Sequence, residues 1–212
     1  MHPHPLSGVY AAAVTPLKSD QTLDEEGMIA LLNFLAEQGC HGALLLGTTG
    51  EGTSFSPRER GEVLRAGLAM RQAHAGFRLL AGTGTPSLDE TISLTKEAFD
   101  LGYDGVLVLP PYFIRKVSDD GLFAWFSEVL RRAVPEGGHF FGYHIPPVSG
   151  VPLSLDLLAR LKDAFPEKFA GIKDSSAQVQ DVHDFGARFG TALAVFNGTD
   201  FTGWHGMGHF DP

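Results

Sequence analysis

Short apolar runs rich in Val, Leu, Ile and Phe alternate with longer amphipathic stretches along this chain, and that alternation constrains its fold more than any other feature. Apolar runs bounded by glycine, proline and polar residues mark strands buried on both faces, and the stretches between them mark helices that cover a parallel sheet. Strands are expected at 8–15, 42–47, 77–82, 104–109, 139–144, 170–173 and 192–197. Helices are expected at 24–37, 57–73, 88–101, 119–133, 153–165 and 178–189. Leu88, Ile92, Thr95, Ala98 and Phe99 form the i, i+3/i+4 stripe by which one of these helices packs on a sheet. Pro86 and Ser87 start that helix, and Glu90, three residues after Ser87, completes a capping-box pattern.

Strict alternation of this kind fits either an open doubly wound sheet or a (β/α)₈ barrel. The polar and special residues decide for the barrel. Thr15-Pro16, Gly47-Thr48-Thr49-Gly50-Glu51, Gly82-Thr83-Gly84, Pro110-Pro111-Tyr112, Tyr143 and Lys173-Asp174 all end or follow strands, and barrel enzymes build their sites from strand C-termini. The fold expected is therefore an α/β, (β/α)₈ TIM barrel. A typical barrel has about 250 residues, against 212 here, so the expectation includes a C-terminal truncation that leaves about seven strands. With no shift in composition to mark a second domain, residues 1–7 read as an extension, 8–200 as one catalytic barrel domain and 201–212 as an atypical tail.

Charge and composition exclude several classes. Lys and Arg number 16 against 25 Asp and Glu, a formal net charge of −9, and no basic stretch offers a phosphate-tracking surface, so nucleic acid is not an expected partner. The start lacks a basic and an apolar signal region, and runs such as 42–46 are far too short to span a bilayer, so no membrane role is expected. Cys40 is the only cysteine and cannot pair within the chain; it reads as a small packing residue, and a cytoplasmic location is expected. His205 and His209 are separated by glycines without helical context, so no metal site is expected there. Trp125, Phe123 and Phe126 read as helix packing.

The candidate chemistry lies in three segments. Lys173, in Phe169-Ala-Gly-Ile-Lys-Asp-Ser-Ser, ends an apolar strand; in a barrel mouth desolvation would favour its neutral amine, the form that attacks a carbonyl. Spacing alone favours an exposed strand-end lysine. Tyr143 ends the preceding strand, so a barrel would set its phenol beside that amine as a proton shuttle; alone, it also fits a core tyrosine with a satisfied hydroxyl. Gly47-Thr-Thr-Gly-Glu can wrap a small anion such as a carboxylate with backbone N–H groups and hydroxyls, or serve as a plain glycine-rich turn. Gly82-Thr-Gly-Thr falls short of a dinucleotide fingerprint.

Taken together, Gly47-Thr-Thr-Gly-Glu, Tyr143 to Pro146 and Gly171-Ile-Lys-Asp-Ser-Ser resemble the N-acetylneuraminate lyase / dihydrodipicolinate synthase family. Thr15-Pro16, Ser56 with Glu59-Arg60, Ala81-Gly82-Thr83 and Pro110-Pro111-Tyr112 support the resemblance, which covers residues 8–200. It implies a class I aldolase or lyase in which Lys173 forms a Schiff base with pyruvate or another 2-oxo acid and a C–C bond is made or broken with an aldehyde partner. Tyr143 and Thr48 are then the proton-relaying catalytic residues. Gly47, Thr49, Gly50 and Tyr112 hold substrate, no metal or organic cofactor takes part, and a homo-oligomer is the expected assembly.

Departures from the family pattern bear on the substrate. Dihydrodipicolinate synthases carry an arginine shortly after the proline of the Tyr143-type motif, for a second carboxylate; Val148 stands here and cannot bind one. Tyr112-Phe113 replaces their two consecutive tyrosines, and His144 replaces the usual Asn. These changes favour a lyase-like 2-oxo-acid aldolase. The alternatives are 4-hydroxy-tetrahydrodipicolinate synthase itself and an inactive barrel remnant that binds a 2-oxo acid or a partner chain.

Overall fold

The structure, a computed structural model, describes residues 4–190 and 192–197. The tail at 201–212, with His205 and His209, lies outside the described residues, as do His2 and the residues 198–200.

Among the described residues seven strands form one parallel sheet in strict sequence order, β1 (Tyr10–Ala12), β2 (Gly42–Leu45), β3 (Arg78–Gly82), β4 (Gly105–Val108), β5 (His139–His144), β6 (Phe169–Asp174) and β7 (Ala194–Asn197). Helices α1 (Glu25–Glu37), α2 (Pro57–Leu68), α3 (Leu88–Asp100), α4 (Asp119–Ala133), α6 (Leu155–Ala164) and α7 (Val179–Phe189) make the crossovers, with a single-turn α5 (Pro146–Ser149) after β5. Each strand pairs only with its neighbours in sequence, as in a TIM barrel. Among the described residues no helix is long and apolar enough to cross a membrane.

Strand alternation sorts the apolar residues into two clusters. Ala43 and Leu45, Leu79 and Ala81, Val106 and Val108, and Phe140 face the helices and join Met28, Leu32, Leu64, Ile92, Phe126 and Leu157 in the larger core. Leu44, Leu80, Leu107 and Phe141 point the other way and fill the concave side with Leu6, Tyr143 and Ala194. Phe126 is buried, and Phe123 and Trp125 pack against the same core, as their spacing predicts.

One irregularity sets the phase of β6. Phe140 pairs with Phe169, but Phe141 pairs with Gly171, so Ala170 is an extra residue on the β6 side. Such a bulge shifts alternation by one position. Ala170 lies in the inner cluster and Ile172 in the outer one, and Lys173 follows in register with the inward Tyr143. The bulge is absent from the sequence reading, in which 170–173 is a regular strand.

Helix starts follow the side-chain chemistry. Ser56 caps α2 in a full capping box with Glu59, and Pro57 occupies the first turn. The capping box expected at Ser87 and Glu90 is only half formed. Ser87 accepts from the Glu90 N–H, but its own N–H donates to Thr85 Oγ1 at 3.1 Å, which leaves Glu90 no partner to reach back to. At the N-terminal end of the strands Asp104 binds Arg71 and Arg78 and accepts the Leu79 N–H at 2.8 Å, bracing β3 and β4 at the end away from the candidate site.

Gly171 faces the backbone of β7, where a Cβ would sit 2.0 Å from the Ala194 carbonyl oxygen. Gly171→Ala is therefore expected to force β6 and β7 apart and cost about 3 kcal/mol, read as a lower urea midpoint at unchanged slope in equilibrium unfolding.

Candidate active site

At the C-terminal end of β2 the chain turns sharply. Leu46 adopts a left-handed φ of 58°, and its carbonyl is approached so closely that a Cβ at Gly52 or Gly82 would lie 2.1 or 2.2 Å from the oxygen. Glycine at both positions lets the 47–52 loop fold down onto β3. Gly50 fixes the other side: its carbonyl accepts the Thr15 hydroxyl at 2.7 Å, and a Cβ there would meet the Ala13 carbonyl at 2.8 Å. The Glu51 N–H donates to the Thr48 carbonyl and the Gly52 N–H to the Gly47 carbonyl. Thr48 and Thr49 stay exposed at the loop tip.

This loop meets β5 and β6. Lys173 Nζ donates to the Tyr143 phenol at 3.2 Å and lies 4.5 Å from the centroid of its ring. The same phenol shares a hydrogen bond of 3.1 Å with Thr48 Oγ1. A continuous polar line thus runs from the amine through the phenol to the threonine. Tyr143 is 3% exposed. Burial, the largest single influence, raises its pKa; the Lys173 charge and hydrogen bonds from Thr48, Ser175 and Lys173 together outweigh it, so the phenol lies below its ordinary value of 10.0.

Gly47, Thr48 and Tyr143 line a cavity of about 70 Å³, with Arg60, Thr53 and Val148 among the other walls. Val148, on α5, is 61% exposed. Of the other residues singled out in the sequence, Lys173 reaches the cavity through Tyr143, whereas Thr49 and Gly50 do not line it. Tyr112 stands outside it too, half-buried near Arg60; burial raises its phenol and the Arg60 charge opposes that.

Two members of this arrangement were not read as site residues. Arg60 is 4% exposed on the second turn of α2 and donates from Nε to the Phe55 carbonyl at 3.3 Å. Its pKa is lowered chiefly by burial, and its charge faces a phenol and, at longer range, Glu90. In the sequence it is one arginine in a polar helix start, with nothing to show that the helix turns it inward. Ser175, just beyond β6, is among the groups that lower the Tyr143 phenol.

The cleft therefore holds an amine, a phenol of lowered pKa, a threonine hydroxyl and a buried guanidinium, with no carboxylate among the lining residues. Those groups suit attack on a carbonyl in an anionic molecule, with protons passed along the phenol.

Comparison with known proteins identifies the family and the fold. The sequence model of the Dihydrodipicolinate synthetase family matches residues 5–208. An uncharacterized DapA-like lyase of Chloroflexus aurantiacus is 41% identical over 171 residues, 80% of this chain and 56% of the relative. The 4-hydroxy-tetrahydrodipicolinate synthase of Oleidesulfovibrio alaskensis is 34% identical over 196 residues, 92% of this chain and 64% of the relative. Among solved structures, the dihydrodipicolinate synthase of Acinetobacter baumannii complexed with pyruvate superposes with a TM-score of 0.84 at 31% identity, covering 94% of this chain and 66% of that one. The 4-hydroxy-tetrahydrodipicolinate synthase of Methylacidiphilum fumariolicum gives a TM-score of 0.83 at 30% identity, covering 91% of this chain and 62% of that one. The chain thus spans between 56% and 64% of the length of the two curated relatives.

Removing the Lys173 charge leaves burial as the main influence on Tyr143. In Lys173→Met the phenol is expected to titrate higher than in the parent protein, measured by absorbance at 295 nm with Tyr143→Phe as the subtraction control.

Proposed function

The chain belongs to the dihydrodipicolinate synthetase family, and from that membership we propose that it is a lyase or aldolase that joins Lys173 to a 2-oxo acid as a Schiff base, with pyruvate the first candidate. The observation that carries this reading is the line of Lys173 Nζ, Tyr143 phenol and Thr48 hydroxyl, linked at 3.2 and 3.1 Å. The pyruvate bound in the Acinetobacter baumannii relative supports the choice of 2-oxo acid.

The steps follow from the groups present. The substrate carboxylate lies against the Gly47-Thr48-Thr49 loop, its 2-oxo carbon toward Lys173. The neutral amine attacks that carbon: the N–C bond forms, the carbonyl π bond breaks, and the nitrogen gives up a proton that Tyr143 passes to the oxygen, leaving a neutral carbinolamine. One further proton from the phenol lets the carbinolamine hydroxyl leave as water, which gives a cationic imine. That nitrogen accepts the electron pair when C3 loses a proton or when the C3–C4 bond breaks to release an aldehyde. Burial raises the Tyr143 phenol, but the Lys173 charge and the Thr48 hydrogen bond hold it below its ordinary value, which suits it to pass protons between amine and substrate oxygen. Thr48 connects it to the substrate end of the cleft.

Val148 separates this reading from dihydrodipicolinate synthesis. By resemblance, that reaction places an arginine here for the second carboxylate of its aldehyde substrate, whereas the isopropyl side chain lines the cavity instead. A lyase acting on a 2-oxo acid with a different carbonyl partner fits the cleft better. Pyruvate and its aldehyde co-substrate are the small molecules proposed, and the assembly is a homo-oligomer in the cytoplasm.

The test is reduction of the purified protein with borohydride in the presence of pyruvate, followed by intact-mass measurement and peptide mapping. A reduced pyruvate adduct on Lys173, lost in Lys173→Ala, is expected. Folded protein that gains no adduct overturns the reading in favour of a remnant that does no imine chemistry. Turnover of pyruvate with aspartate semialdehyde would instead reinstate the synthase despite Val148.

A further inference from the structure

We propose that Arg60 selects the carbonyl partner of the reaction, and that this partner is a short aldehyde acid without an amino group. The proposal rests on the imine reading and adds to it the chemical class of the second substrate.

Arg60 is buried while the acids of its own helix are turned to other partners. Its Nε donates to the Phe55 carbonyl at 3.3 Å, which ties one edge of the guanidinium to the chain just before α2. Glu59 accepts the Ser56 N–H at 2.9 Å and the Ser56 hydroxyl at 2.6 Å, and Glu62 pairs with Arg58. Among the described residues the groups that act on the Arg60 charge are the Tyr112 phenol and, most weakly, Glu90. A neutral phenol does not cancel a guanidinium. A buried cation left in that state is costly, and an anionic ligand removes the cost when it binds.

The cavity separates this anion from the 2-oxo acid. Arg60 lines it together with Thr48 and Tyr143, which share their own hydrogen bond, so its charge adjoins the groups that carry the imine chemistry. Lys173 is not part of the lining. In a 2-oxo acid joined to Lys173 the carboxylate stays bonded to the imine carbon, beside the amine nitrogen. The Arg60 cavity is therefore left to the molecule that meets C3.

The remaining walls narrow the class further. Leu46, Leu107, Leu109 and Val148 supply apolar surface, and Thr53 adds one hydroxyl. The volume of about 70 Å³ takes a carboxylate-sized group at the end of a short alkyl chain. A carboxylate matches the planar guanidinium fork, which donates two parallel N–H groups. A polyhydroxylated aldehyde would set its hydroxyls against leucine and valine. An ammonium on the aldehyde would meet the Arg60 charge, with no acidic side chain in the lining to receive it. Aspartate semialdehyde is therefore a poorer fit than the same chain without its amino group.

Matched aldehydes test this. Succinate semialdehyde and butanal have the same chain length and differ only in a carboxylate against a methyl group; aspartate semialdehyde adds the amino group. Each is titrated by calorimetry into protein already carrying the borohydride-reduced pyruvate adduct on Lys173. Succinate semialdehyde is expected to bind about tenfold more tightly than either of the others, the worth of a charge-assisted hydrogen bond. Arg60→Met is expected to abolish that advantage while leaving butanal binding and the rate of pyruvate trapping unchanged, and Arg60→Lys to keep part of it. Equal affinity for the three aldehydes, or binding of none, overturns the proposal. So does a folded Arg60→Met protein that keeps the preference, or one that loses butanal and pyruvate trapping as well, since that marks a structural arginine. If Arg60→Met does not fold, Val148→Asp decides: this exposed position sets an acid on the cavity, and a preference for succinate semialdehyde that survives it refutes the assignment. If the parent protein traps no pyruvate, the imine reading fails, and the same titrations on Lys173→Met judge the Arg60 cavity by themselves.

Discussion

The single extra residue at Ala170 governs what this barrel can do. With β6 in plain alternation from Phe169 onward, Ile172 would face inward and Lys173 would face the helices, an ammonium buried among Phe185 and Leu157. The bulge reverses that phase between Phe169 and Gly171. Ile172 joins the outer core, and Lys173 turns into the cleft beside Tyr143. Burial of an unpaired amine among apolar side chains would cost several kcal/mol, so the outer core and the position of Lys173 are set by the same irregularity. Gly171 makes the bulge possible, because the β7 backbone approaches too closely for any side chain at that point.

The same logic of close backbone approach builds the opposite wall. Leu46 takes a left-handed conformation at the end of β2, and Gly52 and Gly82 close against its carbonyl. The 47–52 loop is thereby packed onto β3 and pinned to the end of β1 by Thr15. A loop held at both sides presents Thr48 to Tyr143 without help from its own side chains. The cleft is thus framed by two places where backbone meets backbone, and the reactive groups project from the rigid edges between them.

Much of this was legible in the sequence because it depends on periodicity. The apolar runs at 42–47, 77–82, 104–109 and 139–144 each contain the observed strand to within two residues, and the stripe through Ile92, Thr95 and Ala98 lies buried on α3. Tyr143 and Lys173 come from adjacent strands, as strand order alone requires. What periodicity does not encode was missed. A bulge leaves no mark in a run as short as 169–174, since alternation cannot be read across six residues of mixed size. The Ser87 cap lost its reciprocal half to Thr85, a competitor two residues away that a spacing rule does not weigh. Gly50 fits an anion-binding loop by pattern, but its observed contacts tie the loop to β1. Arg60 is invisible for a different reason: α2 begins with charged residues on all sides, and only tertiary packing shows which one is turned inward.

Electrostatics ties the inward residues to one class of ligand. The chain carries a formal charge of −9, so its surface repels anions at long range. Its cleft is the reverse, with Lys173 on one side of Tyr143, Arg60 lining the adjoining cavity, and no carboxylate among the lining residues. A buried cation without an ion pair is costly, and proteins normally neutralise it with a partner. The carboxylates here are placed elsewhere: Asp174 and Asp181 stand behind the strands with His144, and Asp104 braces the far end with two arginines. A small anion entering the cleft would meet the positive charge that the protein has left uncompensated. The carboxylate of a 2-oxo acid matches that requirement, and its carbonyl is the group that the amine beside Tyr143 is arranged to attack.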